Sequence, residues 1–346
     1  MKIFYGVQGT GNGHITRARV MADALNRQGF AVQFLFSGRP EDKYFDMAVF
    51  GDYQCRTGLT FDTQKGKVNY LGTLLKSHPR KFLSDINALD LSGYDLVISD
   101  FEPVTSWAGR KQKQQVLGIG HQYAFSTNIP KKGSDPLADL VMKNFAPVSQ
   151  GLGLHWHHFG QPILPPIIET PDVPKRVQAN KIVVYLPFED TAEVIEMFAP
   201  YRDFEFHIYA PNVVVSPHAH IQCNPLSRDG FQKDLYDSAG IISNAGFELA
   251  SEALQLGKKI LAKPLHAQME QISNAEALKE LSYGQTMYDF DRKLIEKWLN
   301  TPHAVRITYP DVAARIVDWI SQGMPKLDQD FFDGIWNDVN VIQVEY

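Results

Sequence analysis

The feature that most constrains this chain is a local pattern that it uses twice: a short apolar run, a turn of small residues, then apolar residues at helical spacing. Near the start, Ile3–Val7 is followed by Gly9, Gly11 and Gly13, and then by Ala18, Met21, Ala22 and Leu25 before Gly29. That order reads as strand, loop, helix. Further apolar runs at Val32–Phe36, Leu96–Ser99, Val116–Gly120 and Gly151–Leu154 are separated by polar or helix-like stretches. Parallel strands need long crossovers of this kind, so the first half is expected to be α/β with a parallel sheet.

Five prolines lie between Pro162 and Pro174. Each fixes φ and removes a backbone donor, so no regular element survives there and a linker is expected at about 160–178. Beyond it the pattern restarts. Ile182–Leu186, Phe204–Tyr209, Gly240–Ser243 and Lys259–Ala262 read as strands, and Gly246–Gln255 as a helix. Single cores stop growing near ~250–300 residues, so a chain of 346 residues is expected to form two domains, 1–160 and 161–309. A helix-like stretch at Tyr309–Ile320 precedes an aromatic, acidic tail, Asp328–Tyr346, that fits neither period; segment 310–346 is expected to pack back on the first domain.

Charge and cysteine content exclude several functions. The net charge is −5 and the pI about 6.1, whereas a nucleic-acid-binding domain usually has a pI above ~9. No nucleic acid partner is expected. Two cysteines, Cys55 and Cys223, lack metal-ligand or disulfide spacing and suit a reducing cytoplasm. Met1–Tyr5 lacks the apolar stretch of a signal peptide, and no run reaches the ~18 apolar residues of a membrane span. Leu74–Leu83 mixes apolar and basic residues, which leaves two readings: an ordinary surface helix and loop, favoured by Pro79, or weak peripheral contact with a membrane.

Chemistry concentrates in three segments. Gly9-Thr10-Gly11-Asn12-Gly13-His14 lies between a strand and a helix, where glycines allow close substrate approach and a helix N-terminus favours anions. A dinucleotide fingerprint would need glycine where His14 stands, and no Gly-Lys-Ser/Thr follows for a phosphate loop. His14 would lie at the carboxyl end of the first strand, where ligands bind in open α/β sheets. An imidazole with an unperturbed pKa near ~6.5 can serve there as general base or can simply pack the helix start, and the turn alone does not choose. Ser243–Glu252 again joins strand to helix through small residues and offers backbone N–H groups suited to a diphosphate. Glu248 and Glu252 share a helix face, either to meet a ligand such as a ribose diol or as solvated charges. Lys263–Ala275 crowds polar groups of the kind that bind sugar hydroxyls.

In this order and spacing the three segments resemble a GT-B nucleotide-sugar glycosyltransferase, closest to the group of the bacterial peptidoglycan N-acetylglucosaminyltransferase, through about Ile320. The resemblance implies two doubly wound, Rossmann-like α/β domains facing across a cleft, acceptor-binding first and donor-binding second. It gives Gly11, Asn12 and Gly13 to the acceptor turn and the base role to His14, with Asp100 orienting the imidazole. Gly120-His121-Gln122-Tyr123 is similar to an acceptor-cleft stretch of the family without its glutamate, which makes His121 a second catalytic candidate. For the donor, the resemblance implies that Gly246, Phe247 and Glu248 form the diphosphate turn, Glu252 binds the ribose and Arg228 reaches the base. His266, Glu270, Gln271 and Asn274 fall to the donor sugar, with Glu270 a departure from the family pattern. A larger departure is Tyr185-Leu186-Pro187-Phe188-Glu189-Asp190, where the family has a Gly-Gly-Ser-x-Gly loop. The implied reaction is inverting transfer from a UDP-sugar such as UDP-N-acetylglucosamine to a hydroxyl of a sugar or lipid-linked, cell-envelope glycan, with no essential metal or cofactor. Two rivals share the plan: a UDP-sugar 2-epimerase, which needs no acceptor, and a nucleotide-sugar-binding protein without catalysis.

Overall fold

The computed structural model describes residues 1–59, 62–64, 67–69, 79–133, 136–169, 176–266 and 268–345. Its strands are β1 (Lys2–Gln8), β2 (Ala31–Ser37), β3 (Tyr53–Arg56), β4 (Asp62–Gln64), β5 (Lys67–Asn69), β6 (Leu96–Asp100), β7 (Val116–Gly120), β8 (Gln150–Gly153), β9 (Gln178–Tyr185), β10 (Glu205–Ala210), β11 (Ile221–Pro225), β12 (Ser238–Ser243), β13 (Lys259–Ala262), β14 (Gln285–Thr286), β15 (His303–Thr308) and β16 (Asn340–Glu345). The helices are α1 (Asn12–Arg27), α2 (Pro79–Ala88), α3 (Pro103–Lys111), the single turn α4 (His121–Ala124), α5 (Pro136–Phe145), α6 (Thr191–Phe198), α7 (Arg228–Asp237), α8 (Phe247–Leu256), α9 (Met269–Glu280), α10 (Arg292–Leu299), α11 (Val312–Ser321) and α12 (Gln329–Trp336).

Two parallel six-stranded sheets carry the fold, ordered β3-β2-β1-β6-β7-β8 and β11-β10-β9-β12-β13-β14. Central strands are buried along their length, as in β6, β7 and β12, because helices cover both faces of a parallel sheet. This is why the central strands stand out as unbroken apolar runs. The edge strands β3, β11 and β14 are half-buried and lack such a run. Strand order reverses between β1 and β6 in one sheet and between β9 and β12 in the other, so each sheet opens a crevice beyond its carboxyl ends at that point. The glycine turn follows β1, Asp100 ends β6, and the Gly246 turn follows β12. The two crevices face each other.

The tail is more regular than its sequence pattern. Asp328 accepts a hydrogen bond from the Phe331 amide at the start of α12, which buries Phe332 and Ile335, and β16 pairs antiparallel with β15. β16 is exposed on almost every residue, so it is held by the partner strand rather than by an alternating apolar face. α11 buries Ile316, Trp319 and Ile320 in the cluster that also contains Ile3, Met21 and Leu25. The Trp336 indole donates to the Ile163 carbonyl at 2.7 Å. Residues 170–175 of the proline-rich stretch and 74–78 of the apolar-basic segment lie outside the described residues; Pro79–Leu83 begin α2. Among the described residues, no helix is long and apolar enough to cross a membrane.

Candidate active site

Between the sheets lies a cleft of about 740 Å³, lined from both halves, by Gly11–Arg17, His121 and Gln122 on one side and by Tyr185, Arg228, Gly246–Leu249, Glu252, Leu265 and Gln268–Gln271 on the other. Helix capping differs among the helices. α3, α6, α7, α10, α11 and α12 each begin with a side chain that accepts backbone N–H bonds. α1, α8 and α9, which start at the cleft, have Gly11, Gly246 and Gln268 as N-caps with no side-chain cap. Their first amides therefore remain free for an anionic ligand. A side chain at Gly246 would meet only open space, so the turn before α8 is open to the cleft.

At the first crevice, His14 Nδ1 donates to Asp100 Oδ1 at 2.6 Å, and the largely buried ring lines the cleft. Asp100 is fully buried and also accepts from Arg17, Nε to Oδ2 at 2.8 Å and Nη2 to Oδ1 at 2.6 Å. Burial raises the Asp100 pKa, but the Arg17 guanidinium and then His14 outweigh it and hold the carboxyl below its ordinary value. The other end of Arg17, Nη1, donates to Glu248 Oε1 on α8. One buried guanidinium thus joins the aspartate behind the histidine to α8 in the second half of the chain. The close fit extends to Gly13, where a Cβ would stand 2.8 Å from Glu248 Cγ. Arg17 is a functional candidate absent from the sequence reading. It lies three residues after His14 on the same helix face, and that spacing was its available signal.

The other sequence candidates divide by environment. His121 is buried, with Nδ1 at 2.8 Å from the Leu154 carbonyl, Nε2 at 2.7 Å from Asn274 Oδ1, and its ring stacked on Phe247 at 3.9 Å. Burial lowers its pKa, and both ring nitrogens are occupied, so the arrangement holds α4 to α9 and gives this histidine no free nitrogen for a substrate proton. Asn274 is likewise fully enclosed, its amide donating to the Ala245 carbonyl at 3.0 Å, so its place is behind the Gly246 turn rather than on the cleft wall. Gln271 lines the cleft while its Oε1 accepts the Leu265 amide at 3.0 Å. Glu270 receives the Gln122 amide at 3.1 Å. His266 is half-buried and pairs with Asp289 at 3.3 Å, outside the cleft lining.

Arg228 spans to Glu169 at 3.0 Å and Asp46 at 3.4 Å. Glu252 faces the cleft, and burial, aided by the Glu169 charge, pushes its carboxyl up to about 7 despite Arg228. In the loop that departs from glycine, Asp190 caps α6 and Glu189 holds Lys263 at 2.6 Å, while Pro187 and Phe188 line the cleft. Among the described residues no group of three His, Cys, Asp or Glu side chains converges to hold a metal.

A family model described as glycosyl transferase family 1 matches residues 1–302. No curated protein matches the chain. Among solved structures, the chain is similar to the glycosyltransferase SnogD from Streptomyces nogalater, at 16% identity over 94% of this chain and 96% of that one, with a TM-score of 0.54. The glycotransferase of kitacinnamycin is similar at 11% identity over 94% and 99% of the two chains, TM-score 0.62. A third is the spinosyn rhamnosyltransferase SpnG complexed with thymidine diphosphate, at 12% identity over 94% and 96%, TM-score 0.55. At such identities the likeness carries the fold. None of the three is a peptidoglycan enzyme or an epimerase.

Proposed function

This chain belongs to glycosyl transferase family 1 and is a glycosyltransferase of the GT-B fold, and from that premise we propose that it moves a sugar from a nucleotide-sugar donor to an acceptor hydroxyl with inversion, using His14 as base. The observation that carries the proposal is the contact of the His14–Asp100–Arg17 group with the uncapped α8 N-terminus through Glu248. A proton acceptor and an anion-binding helix end meet across one cleft. His14 Nε2, the nitrogen not committed to Asp100, takes the acceptor proton while the acceptor oxygen bonds to the anomeric carbon from one face. The bond from that carbon to the diphosphate breaks on the opposite face, and its electron pair leaves with the phosphate. Asp100 stabilises the imidazolium, and free amides at α8 meet the charge developing on the leaving group, an interaction that grows in the transition state.

Donor recognition is proposed for the Gly246 turn at the diphosphate, Glu252 at the ribose, Arg228 towards the base, and Glu270 and Gln271 at the sugar. UDP-sugars, UDP-N-acetylglucosamine among them, are the first donors to test, with dTDP-sugars beside them because the SpnG complex holds thymidine diphosphate. A sugar or lipid-linked glycan hydroxyl is the proposed acceptor class. A thermal-shift panel of nucleoside diphosphates identifies the base, since a bound ligand raises the melting temperature; transfer is then followed with the matching donor and a panel of acceptors. Formation of a C2 epimer from donor alone would replace this reading with epimerisation, and binding without turnover on any acceptor would replace it with a binding protein.

A further inference from the structure

Arg39 follows β2, two residues past the strand's end at Ser37, and lines the cleft. The other arginines lining the same cleft are matched by carboxylates. Arg17 has Asp100 and Glu248, Arg19 has Asp46 at 3.2 Å, and Arg228 has Glu169 and Asp46. Arg39 has no carboxylate partner among the described residues. Its guanidinium lies 4.8 Å from the centre of the Tyr44 ring, and its Nη2 donates to Asn12 Oδ1 at 2.9 Å. Its Nε–H is buried without an acceptor. Burial lowers its pKa, opposed by the Tyr44 phenol, through charge and a hydrogen bond, and then by Tyr185, rather than by an acid.

A guanidinium stays charged in a protein and presents a planar fork of donors that matches phosphate oxygens. One left in a cleft with an unused, buried N–H is short of an oxyanion. Its position says which anion. Asn12, which Arg39 holds, opens α1, and the next residue, Gly13, touches Glu248 in the first turn of α8. Arg39 is thus linked through Asn12 and Gly13 to the first turn of α8, the uncapped helix that follows Gly246. On the donor side, the nearest lysine after β13 is not free for this task, because Lys263 is held by Glu189 at 2.6 Å and lies over the Phe290 ring.

We infer that Arg39, supplied by the first half of the chain, binds a phosphate oxygen of the donor's diphosphate across the cleft, so that the leaving-group site is shared between the two halves. The inference rests on the nucleotide-sugar reading above. It makes the anion site complete only when the halves are together, and it adds a fixed positive charge where the leaving group becomes more negative.

Calorimetric titration of the full chain and of Arg39→Gln with UDP and dTDP, and with uridine and thymidine, tests it. The Gln variant is expected to bind the preferred nucleoside diphosphate about ten- to a hundred-fold more weakly while the matching nucleoside binds as to the wild type. Inorganic pyrophosphate should displace the nucleoside diphosphate from the wild type more readily than from the variant. Should Arg39→Gln melt early, Arg39→Lys keeps the charge but not the fork, and it must still weaken the diphosphate more than the nucleoside. Equal diphosphate affinity in wild type and variants overturns the inference and leaves the glycosyltransferase reading standing, as does a loss confined to the acceptor KM, which would assign the anion to the acceptor. If the wild type binds neither UDP nor dTDP, the nucleotide-sugar reading fails and the inference falls with it.

Discussion

In the proposed mechanism His14 and Asp100 divide the work of a proton transfer: His14 would take the proton, while Asp100 is buried, held below its ordinary pKa and already bonded to the ring. Replacing His14 by alanine removes the base but touches nothing on α8, so kcat is expected to fall about 10²–10⁴-fold while the donor KM changes little. Steady-state kinetics on the identified pair checks this, and a wild-type kcat would end the assignment. Glu252 offers a test by pH. Its folded carboxyl, raised to about 7, keeps a proton that the unfolded chain releases near the ordinary carboxylate value. The folded state therefore binds the extra proton between those two values, and stability falls as pH rises through that window. Glu252→Gln carries no such proton, so relative to wild type it should gain on the order of 1–3 kcal/mol at pH 8 over pH 5, read from urea unfolding at both pH values. An identical pH dependence in the two proteins would show that burial does not perturb this carboxyl.

At the scale of elements, helix ends and a close approach of two helices carry the function. α1 and α8 meet where Gly13 faces the side chain of Glu248, with no room for a Cβ. Alanine is a better helix former than glycine by up to ~1 kcal/mol, but the forced overlap with Glu248 costs about 1–3 kcal/mol, so Gly13→Ala should leave the melting temperature unchanged or a little lower. It should nevertheless lower the transfer rate about ten-fold or more, because pushing α8 from the turn by even ~1 Å misplaces donor against base. A variant retaining full activity would contradict this. The capping has the same logic at three cleft helices: glycine or glutamine leaves open the N-termini of α1, α8 and α9, whereas α7, which also starts at the cleft, is closed by Ser227.

For the molecule as a whole, the two sheets are joined by a seam as much as by a chain crossing. Trp156 donates to Ser251 Oγ at 2.8 Å and stacks on Phe247 at 5.2 Å, while Arg17 ties Asp100 to Glu248. Glu248→Gln removes the charge on the donor side and leaves the Arg17–Asp100 pair intact. Small-angle scattering should then give a larger radius of gyration for the unliganded variant than for the wild type, and saturating nucleoside diphosphate should narrow the gap. An unchanged radius would mean that the remaining contacts between the halves, the Trp156–Phe247 stack and the His121–Asn274 bond among them, hold them together without this ion pair.

The sequence by itself determined the α/β class, the central strands and the turns at His14 and Gly246, because a strand buried on both faces must be an unbroken apolar run and a turn that admits a ligand must be made of small residues. It could not reveal the edge strands β3, β11 and β14, whose half-exposed residues carry no such run, or β16, whose pairing with β15 is its support. Only the tertiary structure decided which polar residues face the cleft and which are spent on holding it. Asn274 and His121 read as site residues in the chain but satisfy one another in the seam, whereas the roles of Arg17 and Arg39 emerge only when the fold sets one between two carboxylates and leaves the other without any. The physical reason is that hydrogen bonding and ion pairing are settled between segments far apart in sequence: Asp100 and Glu248 meet at Arg17 only after the two halves have come together.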